Sequence, residues 1–493
     1  MHTTEQAPSI VILGAGHTGA AAAYRAARRG LRVTLLEGRD VIGGVGGSFE
    51  VDGIRCDYGS HRFNTACPPR VLNDLTAILG PDLLERPKRS RLRLGGRWIQ
   101  LPMKRSELLR LPWPLLAGVV RDGLASAGSE MTRLFDRGSG RNATFPQILE
   151  GDLGRTLCEH FYFPYAQKTW GRSPAELAVP KRHQIRSRGL FRTLLRNGAF
   201  AMLGRRAVGA HQDRYLYPRL GYGQIAERYA EEAARAGARV LLGARVTRVE
   251  REGDRVVAVL CERAGAVERH AAEAVWSTIP VVHLVRLLAP EAPRDVLDAG
   301  EGLTSRGMIL IYLRLAQDHF SEFDTHFIPD PDVPVTRLSE PKNYSGACEP
   351  SGRTILCAEM PCDPDAADWS LEDDALGAKV VNWLERAGLP IRSAVRGAFT
   401  RRFRAAYPVY RTDTESRLER IETWLHGVSG LVTLGLQGLF SHDDSHHVID
   451  MAYELVNCVT DDGRFDAPRW ASARPLFEAR VAQFLRSMNG IAL

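Results

Sequence analysis

Three glycines constrain this chain more than any other feature: Gly14, Gly16 and Gly19 directly follow the apolar run PSIVIL (8–13) and open AAAYRAARRG, a stretch of helix formers stopped by Gly30. The order is strand, tight turn, helix. In such a unit the first glycine permits the turn, the second lets a pyrophosphate reach the backbone, and the third lets helix pack on strand. The helix N-terminus then offers free amides and the positive end of its dipole. After Gly30, LRVTLLEG (31–38) is almost continuously apolar, as expected of a parallel strand buried on both faces, and it closes a βαβ unit. Glu37, 18 residues beyond Gly19, ends that strand, where a carboxylate accepts hydrogen bonds from ribose hydroxyls. An acid there fits an unphosphorylated ribose, hence FAD or NAD rather than NADP.

At 493 residues the chain exceeds one hydrophobic core, which predicts two or three structural domains. RLRLGGRWIQLPM (91–103) alternates around Gly95-Gly96 and reads as a β-hairpin of a separate, antiparallel sheet. Residues 104–210 read as mostly helical, an inserted segment. A helix at 223–236 precedes short strands in ARVLLGARVTRVEREGDRVVAVL, and another strand in AAEAVWSTIP ends at Pro280. TSRGMILIYLRLA (304–316) and GRTILCAEM (352–360) read as strands of the second sheet, with a helix near 374–388. A strand at 430–435 leads through QGLFSHDDSHH into a final helical region at 448–459.

The hydrophobic fraction of 44% and charged fraction of 25% are those of a globular protein. The net charge of +7 is spread along the chain. No basic helix or aromatic–basic platform gathers it, so a solvated basic surface is expected and nucleic acid is not an expected partner. MHTTEQAPSI lacks the basic and apolar regions of a secretory signal, and no apolar run of about 18 residues occurs, so a cytoplasmic protein without an integral membrane segment is expected. The eight cysteines lack CxxC or zinc-like spacing, which predicts neither disulfides nor a metal site and leaves Cys357 and Cys362 as core thiols. There is no HExxH, Walker loop or Ser-His-Asp order to support hydrolysis or triphosphate cleavage.

EGRDVIGGVGGS (37–48) resembles the acidic–spacer–GG–Ser signature of the amine oxidase and protoporphyrinogen oxidase superfamily, here with two glycine pairs, Gly43-Gly44 and Gly46-Gly47. DYGSHRF (57–63) is similar to the GPHRF segment of a bacterial protoporphyrinogen-oxidase-like branch and of UDP-galactopyranose mutases, with Ser60 in place of proline. FYFPYAQKTWGRSPAEL (161–177), YPRLGYGQIAE (217–227), RVTRVE (245–250), VWSTIP (275–280), AYPVY (406–410) and LGLQGLFSHDDSHHVIDMAY (434–453) extend the resemblance over most of the chain.

The resemblance implies FAD and an α/β fold: a Rossmann-like FAD-binding domain from 1–90, 211–285 and 400–493, interleaved with a substrate domain of antiparallel sheet and helices from 91–210 and 286–399. It implies cofactor contacts at Gly14, Gly16, Gly19, Glu37, Gly43, Gly44, Gly46, Gly47, Ser48, Gly59, Ser60, His61, Val246, Gly435, Gly438, Ser445 and His446. His61, beside the isoalloxazine ring, is the catalytic candidate. Arg62, Arg172 and Arg219, with Arg186 and Arg214, are candidates for gripping an anionic small-molecule substrate, whereas Trp98, Tyr165 and Trp170 read as core. The related branch reads close to GLFRYNNMDHS where residues 438–448 here read GLFSHDDSHHV. Helix-capping Asp and Ser account for that acidic, histidine-rich loop without a metal. The expected activity is hydride removal from a C–H or C–N bond with flavin N5 as acceptor. A redox-neutral mutase acting on a nucleotide sugar is the rival enzyme, a cofactor-holding scaffold the rival non-enzyme, and a homodimer is left open.

Overall fold

The computed structural model describes residues 8–101, 107, 111–133, 144–178, 214–460 and 463–488. Arg186 and much of the helical stretch expected over 104–210 lie outside these residues.

The strand β1 (Ser9–Leu13) sits at the centre of a five-stranded parallel sheet, between β2 (Arg32–Leu36) and the strand Ala274–Ser277. The strands Arg239–Leu241 and Leu431–Thr433 form its edges. A central strand covered on both faces requires the continuous apolar run of residues 10–13, each at most 2% exposed. The helix α1 (His17–Arg28) packs on this sheet through Ala20–Ala23, Ala26 and Ala27, all buried. These small side chains let the helices Gln224–Arg235 and Ser445–Asn457 come close on either side. Those two helices meet at the Tyr229 and Tyr453 hydroxyls, 2.7 Å apart, and the Arg25 guanidinium caps the Tyr453 ring at 4.4 Å.

A second sheet has seven strands, in the order 395–408, 305–315, 354–361, 337–339, 325–327, 90–94, 97–101. The hairpin around Gly95-Gly96 belongs to it as expected. It is mixed rather than wholly antiparallel, because Thr325–Phe327 pairs parallel with Ser90–Leu94. The strand Val395–Pro408 carries this sheet past residue 400, where the sequence reading changed domain. The expected strand ending at Pro280 stops at Ser277, and Val281–Leu287 continues as helix. The helix expected at 448–459 begins at Ser445, where the resemblance put its start, and a further helix, Ala467–Met488, follows it.

Two lysines, one half-buried (Lys168) and one buried (Lys342), fasten loops to this framework. Lys168, on the helix Phe163–Trp170, donates to the carbonyls of Ile328, Asp330 and Val335 at 2.6–3.1 Å. Lys342 does the same for Asp318, Pro350 and Arg353 at 2.9–3.1 Å. Each ammonium thus satisfies three carbonyl oxygens with its three protons. The lysine of the segment FYFPYAQKTWG is therefore structural.

Candidate functional site

Gly14 leaves β1 with φ +93° and donates its N–H to Leu36 O at 2.8 Å. A Cβ at Gly14 would lie 2.6 Å from Thr278 Oγ1, and one at Gly19 would lie 1.9 Å from Gly14 O, so both glycines are demanded by the protein itself. Gly16 differs. Its φ is −72°, and a Cβ there would meet nothing nearer than Gly44 Cα at 3.8 Å. The protein leaves open the face of Gly16 at the N-terminus of α1, which is the space a pyrophosphate would take.

Glu37 is buried at the end of β2, with Oε2 accepting from Ala15 N at 2.8 Å and Oε1 from Arg39 N at 3.0 Å. It lines a cavity of about 510 Å³ with Gly14, Gly38, Val246, Ile279 and His283. Three residues picked from sequence, Gly14, Glu37 and Val246, therefore meet in one cavity. On the far side of Gly16, Gly43 N donates to Ala15 O at 2.9 Å, which brings the double glycine loop (43–47) against the first turn of α1. Gly435 and Gly438 allow close approach too: a Cβ on Gly435 would lie 2.7 Å from Thr18 Oγ1, and one on Gly438 2.8 Å from Ser277 O.

Ser48 is committed within the protein, donating to Asp57 Oδ1 at 2.6 Å and accepting from Gly223 N at 2.7 Å. Asp57 also accepts from Tyr217 OH and Tyr222 N, so this carboxylate ties the glycine loop to the segment YPRLGYG; burial pushes its pKa up. Tyr222 lies between two histidines, stacking on His61 at 5.0 Å and meeting His17 at 5.1 Å. His61, half-buried, donates from Nε2 to Tyr58 O at 3.0 Å. Ser60 N donates to the buried Glu359 at 2.7 Å, and Glu359 receives the Arg337 guanidinium at 2.8 and 2.5 Å. Burial opposes the charge of Arg337, but Glu359 outweighs it and holds the guanidinium ionised. Arg337 also reaches Tyr407 OH at 3.2 Å.

The arginines proposed for anion binding are placed differently. Arg62 pairs with the buried Asp324 and bonds Ser90 and Thr325, while Arg219 and Arg214 form outer ion pairs with Asp82 and Glu85. Arg172 is exposed. Trp98, Tyr165 and Trp170, expected in the core, are half-buried and pack against its hydrophobic clusters. His17, Asp57, Tyr222, Arg337, Glu359 and Tyr407 were not singled out in the sequence, although all but Arg337 stand within segments that were.

In the acidic, histidine-rich loop each histidine meets protein. His442 Nε2 lies 2.8 Å from Pro408 O, His447 Nδ1 lies 2.9 Å from Asp443 Oδ1, and His446 Nδ1 lies 3.9 Å from Asp444. Asp444 stands at the helix N-cap, yet its side chain makes no capping bond. Burial and the adjoining Asp443 push Asp444 up to about 6. The folded state then holds this proton more tightly than the unfolded chain, whose Asp ionises near pH 3.9. Its ionisation therefore removes stability as pH rises from about 4 to 6. Asp444→Asn should lack that loss, so the melting temperature of the variant relative to the parent should climb across this interval; a constant difference would refute the shift. Elsewhere Cys261, Glu268 and His270 converge, but Arg263 already pairs with Glu268 and the charge of Arg239 acts on His270, which disfavours a divalent cation.

The family model for flavin-containing amine oxidoreductases matches residues 18–432, most of the chain. The chain belongs to this family. It is an FAD-dependent oxidoreductase, and the open face at Gly16 together with the Glu37 cavity fits that cofactor. A phytoene dehydrogenase of Streptomyces griseus is 30% identical over 288 residues, 52% of this chain and 51% of that protein, so the oxidoreductase spans about half the length of this curated relative. The fold matches a reduced UDP-galactopyranose mutase with a TM-score of 0.75 at 18% identity, covering 95% of this chain and 98% of that one. It also matches a provisionally named protoporphyrinogen oxidase from Exiguobacterium sp. 255-15, with a TM-score of 0.65 at 19% identity over 91% of this chain and 98% of that one. No helix among the described residues is long and apolar enough to cross a membrane.

Proposed function

We propose that the enzyme takes a hydride from a C–H or C–N bond of a small organic substrate, with flavin N5 as acceptor. FAD supplies the two-electron chemistry, and the chain supplies binding, orientation and a controlled charge environment. Gly14, Gly16, Gly19 and the α1 N-terminus hold the pyrophosphate, Glu37 the adenosine ribose, and the cavity with Val246 the adenosine. The loop 43–47 and Gly59–His61 run beside the ribityl chain and ring. Ser445 and His446, at the start of their helix, place backbone amides and a positive dipole end where reduced flavin gathers negative charge.

The observation that carries the reading is that, among the described residues, charges around the His61 loop are already paired: Arg62 with Asp324, Arg337 with Glu359, and Asp57 with three hydrogen-bond donors. Hydride transfer asks for an ordered, charge-balanced pocket. A nucleotide sugar brings a diphosphate, which is bound by cations that lack such a partner. Anaerobic mixing with amines, porphyrinogens, polyenes such as phytoene, and nucleotide sugars tests this directly. Bleaching of the oxidised flavin by an oxidisable compound supports the proposal; turnover of a nucleotide sugar by the pre-reduced enzyme, without net oxidation, overturns it.

Glu37→Ala should weaken FAD binding by roughly 1–3 kcal/mol, the range for losing hydrogen bonds to a charged acceptor. Titration of apoenzyme measures it, and unchanged affinity would remove the ribose assignment.

A further inference from the structure

His17 stands between the second and third glycines of the phosphate-binding turn, at the first position of α1, and is 7% exposed. One edge of its ring packs on the glycine loop: a Cβ on Gly46 would lie 2.5 Å from His17 Cε1 and 2.9 Å from Nδ1. A ring N–H donates to the Tyr222 carbonyl, whereas Nε2 is buried and has no hydrogen-bond partner among the described residues. Burial first, and the neighbouring His61 second, push this histidine down to about 3, so its ring is neutral at physiological pH. A neutral imidazole carries one proton. With Nδ1 donating to Tyr222, Nε2 presents a lone pair, and a buried acceptor without a donor is costly to leave so.

We propose that His17 is a positioning residue for the cofactor, its Nε2 accepting a hydrogen bond from a hydroxyl of the FAD ribityl chain. This rests on the cofactor placement proposed above. Phosphate oxygens only accept, so the pyrophosphate at Gly16 cannot satisfy Nε2. Glu37 takes the adenosine end, and His61 with Tyr222 marks the ring end. Between Gly16 and Tyr222 the donors that FAD offers are its ribityl hydroxyls. The stack of His17, Tyr222 and His61 then spans the cofactor from sugar chain to ring, so that His17 helps set where the ring lies against His61.

The test is FAD titration of apoenzyme. His17→Phe keeps an aromatic ring but removes the acceptor and should raise the Kd roughly three- to tenfold, a factor appropriate to one hydrogen bond. His17→Gln restores an acceptor and should stay within about twofold of the parent. FAD analogues lacking one ribityl hydroxyl complete a double-mutant cycle. One analogue should bind the parent more weakly by the same factor and bind the His17→Phe variant with no additional loss. Equal FAD affinity of His17→Phe and parent, or additive losses with every analogue, would overturn the proposal. Should the phenylalanine variant misfold, ¹⁵N NMR of the parent decides: the Nε2 resonance should shift upfield when FAD binds, and an unshifted resonance overturns it. If instead Gly16→Val keeps its FAD, the underlying cofactor placement has failed rather than the role of His17.

Discussion

Gly16→Val should give a folded protein that does not retain FAD. The substitution separates folding from binding because Gly16 has an ordinary φ of −72° and faces no protein atom within 3.8 Å of an added Cβ. A valine at Gly19, 1.9 Å from Gly14 O at its Cβ, would disturb the turn and prove nothing about the cofactor. At Gly16 the isopropyl group would occupy the space where pyrophosphate meets the amides of α1, removing both contact and access to the helix dipole. The expected result is colourless protein with a native far-UV circular dichroism spectrum and no recovery on reconstitution with excess FAD. Yellow holoprotein at parental occupancy would remove the assignment of this turn to the cofactor.

His61→Ala should separate binding from turnover in the opposite sense. His61 rests on Tyr222 at 5.0 Å and bonds the Tyr58 carbonyl, and neither contact belongs to the phosphate-binding turn. The FAD spectrum should therefore survive, while anaerobic stopped-flow reduction by substrate slows by about ten- to a thousandfold, as expected for an orienting or proton-handling group. Unchanged reduction would return His61 to a purely structural part. Loss of FAD would place it among the binding residues.

The difference between what was legible in sequence and what was not follows the range of the interactions. The unit from Ser9 to Leu36 writes itself locally: an apolar strand, glycines at fixed offsets and a run of alanines need nothing distant to be recognised. The pairing of Arg62 with Asp324 joins residues 262 apart, and the bond from Ser60 to Glu359 joins residues 299 apart. Neither partner carries a local mark, so Arg62 read as a substrate contact and Glu359 passed unnoticed. The strand Val395–Pro408 was missed as a member of the large sheet because RRFRAA breaks the apolar alternation; its charged residues stay at the surface while Phe399 stacks on Tyr312 at 4.8 Å. In the acidic, histidine-rich loop capping was a local inference that the side chain of Asp444 does not bear out; the pairing of His447 with Asp443 is local, whereas Pro408, the partner of His442, is 34 residues away.

The strand order of the five-stranded sheet bears on when the enzyme can acquire its flavin during synthesis. β1 and β2 emerge from the ribosome early and pair at once, yet the other side of β1 is completed by residues 274–277, and the sheet closes only with 431–433. The helix that begins at Ser445 comes later still. Until then the apolar face of β1 lacks its neighbour, and the ring end of the cofactor site lacks a wall. Such long-range pairing is slow and leaves sticky edges exposed. A nascent chain halted before residue 274 should therefore be a client for chaperones rather than a flavin binder, and loading must be a late event in the life of the molecule.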